Sequence, residues 1–253
     1  MLQRTLLPAV RRPGRPSPPP PAILRSPGET LEGSDLLGEV AGGPGVLLWR
    51  ALRSATLWAA AGPRERGRLF ASGAHERWLR DGANMSLHPR LSDPLNVLGS
   101  LLASAGAATP ERVARACAEV AEWAVEAGAP RTALAFSQAA AAASPESPPA
   151  ALAAGLLAET VGQEIRAETW LRRALVLARA RRDRTTQAHA SLHLGGILAR
   201  RGERARAARM YARTLRLARR RSLRSVRAQA LREVDALAGR SAPAANERRV
   251  AGA

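Results

Sequence analysis

At 253 residues with 46% hydrophobic content, the chain is long enough for one or two domains, and its formal net charge of +18 marks it as strongly basic. Only 3% of residues are aromatic. A core must therefore be built from Ala, Leu and Val, which suits closely packed helices and argues against a β-sandwich. A single cysteine, Cys117, excludes an internal disulfide and favours a reducing, cytoplasmic setting, and no apolar run is long enough to span a bilayer.

Residues 1–45 hold nine of the 18 prolines, including the run Pro18–Pro21, and read as a disordered, locally extended arm. Pro13 and Pro16 have the spacing of a PxxP ligand. Arginines without any acidic residue before Glu29 give this arm a composition shared with transit peptides, while the patch Leu6–Val10, broken by Pro8, does not make a signal peptide. GGPG at 42–45 lacks the Gly-Lys-Ser/Thr of a phosphate loop and reads as linker.

Order is expected from Val46. Leu48, Leu52, Ala55 and Ala59 recur at helical spacing, and Gly62-Pro63 ends that helix. A second helix is expected over 64–80, carrying Leu69, Phe70, Trp78 and Leu79. A third, over 94–105, has Asp93 as N-cap and Pro94 at its first position. Residues 46–108 read as an N-terminal cap or a small helical domain.

From Thr109 a unit repeats. Gly128, Gly162 and Gly202, spaced by 34 and 40 residues, each precede an alanine by five: Ala133, Ala167 and Ala207. Gly155 and Gly195 stand seven residues before the last two of these turn glycines, where the first unit has Ala121. Thr109-Pro110 starts the first helix, and Val113, Ala116, Val120 and Trp123 give it an apolar stripe. The units are expected at about 110–146, 148–182 and 184–221, followed by a closing helix at 223–238 and a disordered tail at 240–253. Small residues are required because the two helices of a hairpin cross closely there.

This pattern resembles the tetratricopeptide repeat family, W-x₂-L-G-x₂-Y followed by Ala, an aromatic and Pro. The third unit carries Leu194-Gly195, Gly202, Ala207 and Tyr211; the second carries Gly155, Gly162, Ala167 and Ala174; the first carries Gly128, Ala133, Ala140 and Pro145. The leading Trp is replaced by Cys117, Ala151 and Ser191, and the closing Pro occurs once. The 40-residue spacing is similar to the extended variety of bacterial signalling and regulatory proteins. The resemblance covers about 110–238. It implies an all-α solenoid of antiparallel hairpins that binds a protein or peptide in a concave groove lined by the first helix of each unit. Carried over residue by residue, the groove comprises Arg115, Ala118, Glu122 and Glu126, then Leu152, Leu156, Glu159 and Thr160, then His189, Leu192, Gly196 and Arg200. It would be acidic at its beginning, apolar in its middle and positive at its end. In this frame His189 lines the groove and His193 turns away.

Nothing in the chain reads as an enzyme or calls for a cofactor. His189 and His193 lie four apart on one helix, but zinc needs more ligands than that stretch supplies. The carboxylates Glu119, Glu122, Glu126, Glu159, Glu164 and Glu168 lie along helix faces, without the opposed environments of an acid–base pair.

Charge is concentrated. All 39 basic residues are arginine and reach every segment, as GC-rich coding would produce, with bidentate anion recognition as the alternative. Residues 110–146 hold three Arg against five Glu, whereas residues 200–232 hold thirteen Arg against one Glu. Arg206, Arg209, Arg213, Arg216 and Arg220 form a ridge, with Ala208, Tyr211, Leu215 and Ala218 expected on a separate, packed face. The ridge reads as a solvated face, a surface for an acidic protein, or a contact with nucleic acid or anionic lipid; scarce aromatics weaken the nucleic-acid reading. Three units with a single closing helix leave the end of the array incompletely capped, which homo-oligomerisation would complete.

Overall fold

The computed structural model describes residues 39–40, 42–70, 87–103 and 108–239, and among them there are helices and no strands. The helices are α1 (Gly42–Ala60), α2 (Pro63–Phe70), α3 (Pro89–Ala103), α4 (Pro110–Glu126), α5 (Pro130–Ala143), α6 (Pro148–Thr160), α7 (Glu164–Ala180), α8 (Arg184–Arg200), α9 (Arg204–Leu217) and α10 (Arg224–Gly239), with a 3₁₀ turn at Arg221–Leu223. From α4 onward each helix packs on the next, so that antiparallel hairpins stack one after another as an α-solenoid. No described helix is long and apolar enough to cross a membrane.

The hairpin turns share one mechanism. Gly128, Gly162 and Gly202 have φ of 72°, 79° and 76°, in the left-handed region that only glycine enters without steric cost. Each closes its helix with a Schellman pair. After α4, Gly128 N–H donates to Val125 O and Ala129 N–H to Ala124 O; after α6, Gly162 and Gln163 donate to Glu159 and Ala158; after α8, Gly202 and Glu203 donate to Ala199 and Leu198. The α7–α8 junction uses the same geometry without a glycine. Arg182, at φ 55°, donates to Arg179 O, and Asp183 donates to Ala178 O before capping α8 through Thr186 N–H.

Within the hairpins the small residues lie where the helices cross. A Cβ added at Gly155 would sit 2.8 Å from Leu171 Cγ, and one at Gly195 would sit 2.5 Å from Tyr211 Cε1. Ala133, Ala167 and Ala207 are fully buried. The change in spacing from 34 to 40 residues is helix length. At 17 residues, α7 exceeds α5 by three, and α8, also 17, exceeds α6 by four, about one further turn in each.

The N-terminal helices are packed differently. Leu48, Leu52, Trp58, Leu91, Leu95 and Leu98 share one buried cluster with Val113, Cys117 and Phe136 of the first hairpin. Here α1 lies on α5 and α3 on α4. Glu39, just ahead of α1, caps α5: its carboxylate accepts from Arg131 N–H (2.8 Å) and Thr132 N–H (3.0 Å). Helix α5 has no capping side chain of its own, since Ala129 stands at the N-cap and Pro130 brings no N–H.

Several expectations are corrected. GGPG at 42–45 forms the first turn of α1 rather than a linker. Gly45 is required there because a Cβ would collide with the carbonyl of Val40. Helix α3 begins at Pro89, ahead of Asp93, because Leu91 continues the buried stripe of Leu95, Leu98 and Leu102 and pulls another turn into the helix. The second helix is described only over Pro63–Phe70, so Trp78 and Leu79 lie outside the described residues. So do residues 1–38, with the PxxP spacing, and the tail at 240–253. On α9 the packed face is Ala207, Tyr211, Thr214 and Ala218, while Ala208 is exposed. Seating Tyr211 under Gly195 sets the rotation of that helix.

Candidate binding pocket on the first helices

The first helices of successive units approach one another directly: α6 touches α8, and α8 touches α10. Between them opens a pocket of about 350 Å³, lined from α6 by Leu156, Glu159 and Thr160, from α8 by Leu192, His193, Gly196 and Arg200, from α9 by Tyr211, and from α10 by Gln229 and Glu233. Leu156 and Leu192 supply apolar wall, and Gly196 leaves the space open. A Cβ at Gly196 would meet only Arg200 Nη1, at 3.5 Å.

A chain of ion pairs crosses from unit to unit beside the pocket. Glu159 Oε1 accepts from Arg200 Nη2 (2.8 Å), and Glu159 Oε2 lies 2.8 Å from His193 Nδ1. A carboxylate acceptor places the imidazole proton on Nδ1. Arg200 Nε donates to Glu164 Oε1 (3.2 Å), and Arg201 bonds both Glu164 and Glu168. Burial alone would raise the pKa of Glu159, but the hydrogen bonds and charges of His193 and Arg200 outweigh it and hold the group below the ordinary 4.5. Arg200 is likewise held above its ordinary value, because Glu159 and Glu164 outweigh the opposing effect of burial. With both oxygens engaged and its proton affinity reduced, Glu159 is poorly placed to act as a general base at neutral pH.

Glu233 contrasts with it. Its one polar contact among the described residues is the Tyr211 hydroxyl, which donates to Oε2 at 3.4 Å. Its charge meets no cation there.

The expected groove residues divide. Leu156, Glu159, Thr160, Leu192, Gly196 and Arg200 come together in the pocket. Leu152 is half-buried against the core cluster of the second hairpin, away from the pocket. Arg115 and Glu122 are exposed on α4, and Glu126 pairs with Arg90 of α3, so the first hairpin contributes nothing to the pocket. His193, expected to turn away, lines the pocket, because one face of α8 carries His189, His193, Gly196 and Arg200 at helical spacing. His189 is half-buried beside it, and its pKa is lowered by burial and then by the charge of His193, against an opposing effect of Asp183. The expected positive end of the groove is neutralised, since Arg200 is shared between two carboxylates.

Tyr211, Gln229 and Glu233 were not anticipated as lining residues. Extending the repeat frame by one more first helix, onto α10, would have found the last two. The ridge is also thinner than expected. Arg206 pairs with Glu203, and Arg213 turns inward to donate to Gln187 Oε1 (3.3 Å), leaving Arg209, Arg216 and Arg220 exposed and without an ion pair among the described residues. Cys117 is fully buried, and burial pushes its thiol up to about 12, which favours the neutral thiol at neutral pH.

No protein-family model, curated protein or solved structure matches the chain significantly.

Proposed function

We propose that the chain is a non-catalytic scaffold of the tetratricopeptide type, working in the bacterial cytoplasm, that holds a peptide segment of a partner protein across α6, α8 and α10. The observation that carries this reading is the open pocket on the first helices, where apolar walls and fixed polar groups from successive units converge. The in-phase glycines and alanines at the hairpin crossings support the family assignment. Glu159, His193 and Arg200 are committed to one another, which favours recognition over chemistry.

The test is selection of peptides from a random library on the wild-type protein, followed by affinity measurement on Gly196→Leu. That substitution fills the pocket from a position with no close packing neighbour. Selected peptides should lose at least about tenfold in affinity, or 1.4 kcal/mol. Unchanged binding by a folded variant would contradict the reading.

A second reading, contact with nucleic acid, rests on the exposed Arg209, Arg216 and Arg220. It predicts binding that weakens steeply with salt as counterions are released. Failure to retain the protein on immobilised DNA at about 0.1 M salt, where screening is moderate, would remove it.

A further inference from the structure

The pocket contains three formal charges that do not depend on histidine protonation: Glu159, Arg200 and Glu233. Two of them are spent. Glu159 uses one oxygen on Arg200 and the other on His193. Arg200 uses Nη2 on Glu159 and Nε on Glu164. An anionic ligand would find the single cation already divided between two carboxylates, and it would face Glu233 as well. Glu233, by contrast, has among the described residues only the long bond from the Tyr211 hydroxyl. Beside it the pocket offers the apolar flanks of Leu156 and Leu192 and the amide of Gln229.

At about 350 Å³ the space lies at the small end of ligand pockets, which run from about 300 to 1,000 Å³. It accommodates one long side chain rather than a folded segment. An aliphatic stem against leucine with a cationic head on a carboxylate is the chemistry of arginine or lysine.

We infer that the pocket takes a single basic side chain of the partner peptide, its stem on Leu156 and Leu192 and its charged head on Glu233. The inference rests on the peptide-binding reading above and specifies its ligand. It also sets a limit on sequence. Residues 200–232 carry thirteen arginines, which disfavour a polybasic ligand wherever it lies within the screening length of about 8 Å at physiological salt. One basic residue between neutral neighbours fits both conditions.

The test uses blocked peptides identical except for a central arginine, citrulline or glutamate, with neutral flanks, titrated into the ¹⁵N-labelled full chain. The arginine peptide should shift the amides of Gly196, Gln229 and Glu233, and citrulline, which keeps the shape and loses the charge, should bind at least about tenfold more weakly. Glu233→Gln should cut arginine-peptide binding to the citrulline level and leave citrulline-peptide binding as it was. Equal binding of arginine and citrulline peptides, or preference for glutamate, would overturn the inference. If such binding were still abolished by Gly196→Leu, the peptide-binding reading would stand while the basic-residue assignment fell. If no peptide perturbed α6, α8 or α10, both would fall. A Glu233→Gln variant with unaltered affinity for the arginine peptide would also refute the assignment.

Discussion

The first hairpin and the two that follow solve the same crossing in different ways. In α6/α7 and α8/α9 a glycine faces a large side chain, Leu171 or Tyr211, that fills the crossing from within the hairpin. The same sequence offset from Ala121 reaches Ser137, and both residues are buried. A small residue there admits a Cβ on the other helix, so alanine stands where the later units have glycine. The missing volume comes from outside the hairpin: α1 and α3 bring Leu48, Leu52, Trp58 and Leu98 against Val113 and Phe136. The later hairpins are instead linked to each other by the ion pairs from Glu159, Glu164 and Glu168 to His193, Arg200 and Arg201. A repeat can therefore keep its backbone geometry while moving the source of its packing from its own second helix to a flanking segment.

The largest expected effect comes from giving the first crossing the bulk of the others. Ser137→Leu should destabilise by roughly 1–3 kcal/mol through overpacking, and Ala121→Gly in the same chain should recover part of that loss. Chemical denaturation of the single and double variants measures the coupling. Additive effects would break the proposed equivalence of the crossings.

Glu39→Ala tests the flanking support. It removes the acceptor for Arg131 and Thr132 N–H and should cost about 1 kcal/mol, as loss of an N-cap does. Hydrogen exchange should quicken at the start of α5 and stay unchanged in α7 and α9.

Arg182→Gly should stabilise the α7–α8 turn by about 1 kcal/mol, since it removes a left-handed non-glycine residue. Thermal unfolding would show it as a higher Tm.

The smallest effect is acid sensitivity, confined to the later units. Glu159 has a folded pKa below the ordinary 4.5. Its contribution is therefore complete above that value and is lost as pH falls through the folded pKa. Glu159→Gln should flatten this acid limb by about 0.2–1 kcal/mol, the scale of partly exposed ion pairs.

The repeat was legible because its determinants are local. Glycines that need positive φ and small residues at helix crossings stand at fixed spacings, and so marked the hairpin turns after α4, α6 and α8, whereas α9 ends at Leu217, four residues short of the expected end of its unit. The ends were less legible. Residues 42–45 read as linker because GGPG lacks the Gly-Lys-Ser/Thr of a phosphate loop, a motif test that says nothing of the close approach between Gly45 and the carbonyl of Val40 that starts α1. The capping of α5 by Glu39 joins residues 92 apart in sequence, which no local pattern reports. At the pocket, Leu156, Glu159, Thr160, Leu192 and Arg200 followed from the repeat frame. His193 was misassigned because helix rotation was inferred from the family pattern rather than from the face shared with Gly196. Glu233 was missed because α10 was treated as a closing helix and not as a further first helix. The rotation of α9, set by Tyr211 under Gly195, likewise put Ala208 on the wrong face.

Gly195 and Gly196 allow the most direct measurement. They are neighbours in the middle of one helix, where alanine should be favoured over glycine at both by about 1 kcal/mol. A Cβ added at Gly195 would sit 2.5 Å from the ring of Tyr211, while one added at Gly196 would face the open pocket and meet only Arg200 Nη1, at 3.5 Å. Thermal unfolding of Gly195→Ala and Gly196→Ala should therefore shift Tm in opposite directions, down for the first and up for the second. Shifts of the same sign would contradict the account of a tight crossing on one side of α8 and an open pocket on the other.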